Sequence, residues 1–491
     1  MVIHLKKITA VLACLITITV FLGCEDGISA IIPADFPGYT APSGDGTVGP
    51  RANSSDDPAD GIYVSPDGND SAAAGSIDKP FKSINKALAA ASSGSTIILR
   101  SGVYREGINV RVSKSNITIK SRKDEWAVID LTAYEPGHDE DSGVWFYPGS
   151  SGGKLQSVEV MGGFYAVCID TKWDWGNPGD PPGPGVSNVV IEDCKLHDSR
   201  NDVVKVKPNC NDITIRYNEI YNSGRAYIGY SDFQTGERNS EGIDNVNGDR
   251  MIVQNNHIHD ICSNGIYAKG GATDVLIENN LVEQTYGAGI MVGFDTSPEY
   301  FDPAVNPEYY ENIRGTVRNN LIIDAGWEGI GLYASRDARV YNNTIINAVC
   351  GTRKYHSPIY FGVATQDWEN PAGCPPNINP DIHHNIVSQP ASYTNRIIDI
   401  RYATGVYSFG LSGLEGTPVM NNNCYYVAGR KATFTDNRPG SKLTNDDLSA
   451  WKSHINGDSG SIEADPALDA DYIPTNIQCA EMGITVALKH K

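Results

Sequence analysis

Between Met251 and Asp295 the chain repeats itself. The run MIVQNNHIHDICSNGIYAKGG is followed by VLIENNLVEQTYGAGIMVGFD, and Asn256 and Asn280 fall at equivalent points 24 residues apart. Each copy has a short apolar run, an Asn-Asn corner, a second apolar pair, a polar corner and a third strand-like run. A unit of this size cannot cover its own apolar face, so copies must stack. The same signature recurs in ITIKSR (from Ile117), VEVMGG (from Val158), VVIEDC (from Val189), ITIRYN (from Ile213), GTVRNN (from Gly315) and ARVYNN (from Ala338). The pattern predicts an all-β right-handed parallel β-helix as one domain over residues 61–491. The corner residues Cys194, Asn218, Asn256, Asn280, Asn320 and Asn343, with Asn385 and Asn423 continuing the series, read as a ladder. Stacked amides can hydrogen-bond up and down such a column and satisfy buried turn backbone. Where the spacing is short it is 24, 24 and 23 residues, and longer gaps hold inserted loops, at about 228–240 and 296–313.

The pattern changes at the N-terminal end. MVIHLKK and the apolar stretch Ile8 to Gly23 read as an export signal over residues 1–23, too short and too early for a spanning helix. Phe21-Leu22-Gly23-Cys24 resembles a bacterial lipoprotein cleavage box. Acidic residues follow it directly, as in surface lipoproteins. Lipidation at Cys24 would leave the mature protein hanging from an outer membrane or cell surface; cleavage without lipid would leave it secreted. Residues 24–60, rich in Pro, Gly, Ser and Asp, read as a flexible tether. Ordered structure is expected from Ile62. There YVSPDG, a helix over Pro80 to Ala91 and TIILRSGVYRE have the order of a cap that covers the apolar end of the first coil. GSIEADPALDADYIP reads as the closing segment.

Composition narrows the partners. A net charge of −20 argues against a nucleic-acid surface, and means that an anionic substrate needs a cation or a basic groove. Of ten cysteines, Cys14 and Cys24 belong to the leader; the other eight contain no CxxC pair, so zinc is not expected. Cys350 and Cys374 flank one insertion and are the candidate disulfide. His257 and His259 alternate on one strand, His197 adjoins Asp198, and His383 and His384 are adjacent. No second partner stands at metal spacing, so surface or turn roles are expected for them.

Aligning coils on the ladder residue gathers chemistry. Ten and twelve residues on, the positions are apolar or small and must face in; eleven and thirteen on, they face out. The outward strip of three consecutive coils then holds Lys205, Lys207, Asp244, Tyr267 and Lys269, with Asp202 and Glu241 at the entry corner. The next coils offer Met291, Gly293 and Gly331 there, so charge is localised. A solvated face with compensating charges competes with a site. As a site, Asp202, Glu241 and Asp244 suit Ca²⁺ as hard oxygen ligands. Lys269, crowded by another lysine and a cation, becomes a base. Lys205 or Lys207 steadies a substrate carboxylate, and Tyr267 protonates the leaving oxygen. Trp327, Trp173, Trp175 and the tyrosines of the long loop could stack on sugars. Together these parts perform β-elimination on a uronic-acid polysaccharide.

The repeated coils, the cap and IYAKGGATDVLIENN resemble the β-helical polysaccharide lyases, both the family-nine pectate lyases and the alginate lyase and chondroitinase B family. The resemblance covers roughly Ile62 to Asn343 and implies Ca²⁺ dependence and an outward lysine base, matched by Lys269 in YAKGG. Asp202, Glu241 and Asp244 match the acidic ligands by place. The alginate and chondroitin branch also carries an arginine one coil after the lysine, where this chain has Gly293. Three other readings stay open: a glycoside hydrolase using paired carboxylates, an epimerase that shares the lysine-type proton abstraction but does not cleave the chain, and a non-catalytic glycan-binding surface protein. In each the expected partner is a polysaccharide and the expected state a monomer.

Overall fold

A computed structural model describes residues 44–490 except 73, 135, 139–140, 174–181, 225–238, 353–354, 365–373 and 405–409. The described residues belong to one unit, 37–491. The export signal, Cys24 and Trp175 lie outside the described residues.

The strands form three 12-stranded sheets, and each coil contributes one strand to each sheet in turn. One coil runs Ile252–Gln254, His257–Ile261 and Ile266–Lys269; the next runs Leu276–Glu278, Leu281–Thr285 and Ile290–Val292. We call the three layers the first, second and third sheets in that order. Pairing within coils of this kind is parallel, so like stacks on like: Ile266 on Ile290, Ile290 on Ile330, Ile330 on Ile359. All four are fully buried in one continuous core running the length of the solenoid. The chain is thus a parallel β-helix.

The Asn-Asn corners have two separate jobs. The first residue takes a left-handed backbone, with φ of 55° at Asn255, 55° at Asn279, 52° at Asn319 and 53° at Asn342. Asn tolerates that conformation better than most residues with a Cβ. The second residue makes the ladder. Asn256 N donates to Asn280 Oδ1 at 3.0 Å, and Asn280 N to Asn320 Oδ1 at 3.0 Å. The series runs from Cys194 N on Asn218 to Asn385 N on Asn423, and ends where Asn423 N meets Ser461 Oγ at 2.7 Å. Each of these amides also donates to the first-sheet strand of the preceding coil, as Asn280 Nδ2 does to Val253 O at 2.9 Å.

Both ends are closed. The N-terminal helix spans Ile84–Ala90, shorter than the Pro80–Ala91 expected; Ser83 caps it on Lys86 N, and Ile84, Ala87 and Leu88 face the first coil. Phe81 bridges to Val64 before the helix starts. At the other end the helix Leu448–Ile455 plugs the core with the fully buried Trp451.

Two expectations are corrected. Residues 44–60 are not a free tether: Thr47–Val48 pairs in parallel with Lys489–His490, Arg51 grips Asp193 at 2.7 Å, and Asn53 Nδ2 donates to Arg122 O at 2.7 Å. The segment lies along the coils because its polar side chains satisfy corner backbone there. Cys350 and Cys374 both stand as thiols, the first 3.4 Å from Ala325 O and the second 3.5 Å from Glu311 Oε1. The thiol pair brought together is Cys424 and Cys479, with Sγ atoms 3.2 Å apart.

Candidate active site on the third sheet

The register of the third sheet puts Lys205 beside Asp244, Asp244 beside Tyr267, and Val246 beside Lys269. The inward partners Val204, Ile243 and Ile266 fill the core, which forces their neighbours outward. Asp202 and Glu241 enter one corner earlier, where Glu241 N donates to Asp202 Oδ1 at 2.9 Å. Ligand atoms of Asp202, Glu241 and Asp244 lie within 4.8 Å of one another.

This trio is buried: Asp202 and Asp244 are 0% exposed and Glu241 2%. Lys205 places its ammonium among them, 3.3 Å from Asp202 Oδ2 and in direct contact with Asp244. Burial alone would lower the lysine, but Asp244 and Asp202 outweigh it and hold its pKa well above the ordinary value. Ser263 Oγ and Asn264 Nδ2 donate to Glu241 Oε1 at 2.8 and 3.1 Å. Three carboxylates and one ammonium leave a surplus of two negative charges. Burial, then crowding by Asp244 and Glu241, pushes Asp202 well above the carboxylate range, and burial with Asp244 raises Glu241. Glu241 Oε2 and Asp244 Oδ1 are buried and accept no hydrogen bond among the described residues, and Asp202 Oδ2 faces the Lys205 ammonium at 3.3 Å. Converging hard oxygens with uncompensated charge fit a divalent cation of the Ca²⁺ kind.

Lys269 lies on the same strip, half-buried. Its Nζ donates to Asp295 O at 3.2 Å and stands 4.6 Å over the Tyr267 ring. Its charge acts on Glu241 on one side and Glu311 on the other. Glu311 has no exposed surface, accepts from Gly270 N and Thr296 Oγ1 at 2.7 Å each, and is pushed by burial up to about 8. The sequence reading missed Glu311 because it ends an inserted loop and belongs to no coil column.

Several assigned roles do not survive the geometry. Tyr267 points out of the coil but is 0% exposed, covered by the cluster of Ala288, Met291, Tyr333 and Tyr360. Its hydroxyl is hydrogen-bonded 3.2 Å from Asp244 Oδ2, and burial raises its pKa well above the ordinary value, so it cannot reach a leaving oxygen. Lys207 is ion-paired with Asp170 at 3.0 Å and its side chain is only 6% exposed. Lys205 is spent inside the trio. Trp327 is buried against His356, with centroids 5.4 Å apart, and offers no face to a sugar. Among the aromatics named from the sequence, Trp173 instead meets Tyr300 of the long loop edge-on at 4.9 Å, both half-buried.

Residues 142–358 match the family described as right handed beta helix region, and residues 66–111 match a protein of unknown function, DUF1565. The fold class is a right-handed parallel β-helix. Over 74 residues the chain is 43% identical to pectate lyase PEL9 of Emericella nidulans, covering 14% of this chain and 18% of that relative. The match therefore spans less than a fifth of the curated relative. Among solved structures the chain is similar to the A-module of mannuronan C-5 epimerase AlgE6 of Azotobacter vinelandii, at 13% identity over 78% of this chain and 94% of that one, with a TM-score of 0.48. It is similar also to pectate lyase Pel9A, at 13% identity over 87% and 88%, with a TM-score of 0.37. At such identities the chemistry has to be argued from this chain's own side chains.

Proposed function

We propose that the chain is a carbohydrate-active β-helix enzyme that cleaves a uronic-acid polysaccharide by β-elimination. The observation that carries this reading is the buried trio Asp202, Glu241 and Asp244, with its unsatisfied oxygens, on the same outward strip as the half-buried Lys269. Ca²⁺ held by the trio would supply positive charge to neutralise a substrate carboxylate. Lys269, as the base, takes the proton from the carbon next to that carboxylate. The electron pair left behind forms the new C=C bond as the glycosidic C–O bond breaks, and the leaving oxygen takes a proton from water. Trp173 and Tyr300 are the aromatic pair placed to stack on a sugar ring. The PEL9 likeness supports the lyase class over its short span. Export and a lipid at Cys24 belong to the same proposal, since the substrate is extracellular.

A glycoside hydrolase is the second reading, supported by the carboxyls of Asp202 and Glu241, which burial and crowding raise above the ordinary range. Their burial disfavours it, because an acid at 0% or 2% exposure cannot meet a glycosidic oxygen. The experiment is a screen against pectate, alginate, glycosaminoglycans and ulvan, with Ca²⁺ or chelator. A lyase releases an unsaturated, ultraviolet-absorbing product and stops with chelator. Lys269→Ala should cost about 10²–10⁴-fold in rate, the usual worth of a general base. New reducing ends without ultraviolet absorption would replace the lyase with the hydrolase. Glycan binding without turnover, retained in Lys269→Ala, would leave a binding protein.

A further inference from the structure

The second sheet carries another cluster of metal-ligating side chains. Glu219 stacks on His257 in the parallel register, and Tyr221 on His259. Ligand atoms of Glu219, His257 and His259 lie within 4.8 Å of one another. The outer nitrogen of each imidazole is already held by a carboxylate: His257 Nε2 by Glu283 at 2.8 Å, and His259 Nδ1 by Asp260 at 2.8 Å. In a neutral imidazole, a nitrogen that donates to a carboxylate leaves the other as a lone pair. Those others, His257 Nδ1 and His259 Nε2, are buried and without a hydrogen bond among the described residues. His257 is itself 9% exposed. His259 Nε2 stands 3.5 Å from Glu219 Oε1, and Nε2 of His490, on the terminal strand, stands 3.6 Å from the same oxygen. Lys195 occupies only the second oxygen, Glu219 Oε2, at 2.9 Å.

We propose that Glu219 Oε1, His257 Nδ1 and His259 Nε2 bind one transition-metal ion of the Zn²⁺ type, with His490 Nε2 completing a tetrahedral set. Ligands bonded at about 2.0–2.1 Å in a tetrahedron lie about 3.3–3.4 Å from each other. The two ligand separations at Glu219 Oε1 fall close to that. One carboxylate and neutral imidazoles suit Zn²⁺, Co²⁺ or Cu²⁺ and do not suit Ca²⁺. Glu283 and Asp260 supply the outer hydrogen bonds that fix ring orientation and raise ligand basicity in histidine metal sites. Without a metal the same geometry leaves His257 Nδ1 buried and without a hydrogen bond among the described residues, while His259 Nε2 faces Glu219 Oε1 at 3.5 Å, and an ion cluster around a protonated His259 would not use His257 Nδ1.

The consequence is mechanical. His490 lies on the strand Lys489–His490, which pairs with Thr47–Val48, and Gly49 N donates to Asn255 O at 3.0 Å. Val48 and Leu488 pack on Leu281 and Leu321 of the second sheet. The ion would clasp both terminal segments onto the outside of the solenoid, independently of the acidic trio on the third sheet.

The test uses the whole chain, stripped with chelator and held in excess Ca²⁺ so that the trio does not compete, then titrated with Co²⁺ and with Zn²⁺. One equivalent of Co²⁺ should give the strong visible absorption of a four-coordinate nitrogen-oxygen site, and Zn²⁺ should displace it. His257→Ala/His259→Ala should abolish the absorption while Lys269→Ala leaves it unchanged. Glu283→Gln, which removes only an outer contact and spares the fold, should weaken binding about 10–100-fold. Zn²⁺ should raise the melting temperature of the wild type and leave that of Glu219→Gln nearly unmoved. Absence of the one-equivalent Co²⁺ spectrum, or full affinity in Glu283→Gln, would overturn the site.

Discussion

Two outward strips of one solenoid do the same thing under different dielectric conditions. On the third sheet, parallel stacking converges three carboxylates that are almost wholly buried around an ammonium, Lys205, whose side chain is 12% exposed. On the second sheet it converges Glu219, His257 and His259 beside Lys195, whose side chain is 40% exposed. The register is equally strict in both, so geometry does not separate them; desolvation does. Charges kept from water act strongly on one another, and charges that water reaches are screened. Asp202, Glu241 and Lys205 are accordingly all held above their ordinary titration, and the ammonium is a structural part rather than a surface decoration.

Removing the ammonium from each strip gives the largest expected effect. Lys205→Met strands three buried carboxylates and should cost about 3–5 kcal/mol in chelator, read by denaturant unfolding. Added Ca²⁺ should return much of that loss, since a cation then takes the vacated charge. Lys195→Met, at a half-exposed pair, should cost under about 1 kcal/mol and respond to no Ca²⁺. Equal losses in the two variants would erase the distinction drawn between the strips.

A change in the shared scaffold should touch both. Asn280→Ala removes the acceptor of Asn256 N and the donor to Val253 O, both fully buried. An unsatisfied buried backbone group costs about 1–3 kcal/mol, visible as a lower unfolding midpoint. Ca²⁺ and Co²⁺ affinities should fall together, because the ladder corner stands between the second-sheet and first-sheet strands of coils feeding both strips. A fall in one alone would show that the strips are held by separate parts of the fold.

The third-sheet strip was legible in the sequence and the second-sheet cluster was not, for physical reasons. Strand alternation and the Asn ladder give register, and register alone stacks Lys205, Asp244 and Tyr267 on successive coils. It also brings Asp202 and Glu241 to one corner. What it does not give is the depth of cover. Tyr267 and Lys207 were placed on the correct face, yet their exposure depends on Met291, Tyr333 and Asp170, whose reach is set by packing. On the second sheet, the sequence shows His257 and His259 but not that a terminal strand brings His490 beside them, nor that Glu283 and Asp260 hold the outer nitrogens. Contacts across hundreds of residues leave no local signal. Cys424 and Cys479, 55 residues apart, are likewise brought together only by the closing of the last coil.

A last effect is one of pH, spread over several pH units, and it again sets one strip against the other. Glu311, beside Lys269, has its pKa raised by burial from 4.5 to about 8. Between those values the folded chain keeps a proton that the unfolded chain has released. Stability therefore falls as pH rises through that window, by at most about 1.4 kcal/mol per pH unit. Glu311→Gln should remove this slope, since a side-chain carbonyl can still accept from Gly270 N and Thr296 Oγ1, which both meet Oε2. On the second sheet, burial lowers His197, but Asp198 and Glu159 outweigh it and raise it from 6.5 to about 8. Its contribution is fully present below 6.5 and is lost as pH rises through about 8. His197→Gln should thus reduce the slope only between 6.5 and about 8, and Glu311→Gln should reduce it from 4.5 to about 8, leaving the His197 part in the upper window. Unfolding free energies of the wild type and the two variants across that range would show it. If Glu311→Gln kept the wild-type slope, the carboxyl would be ionised and paired with Lys269, and the lysine could not serve as a neutral base.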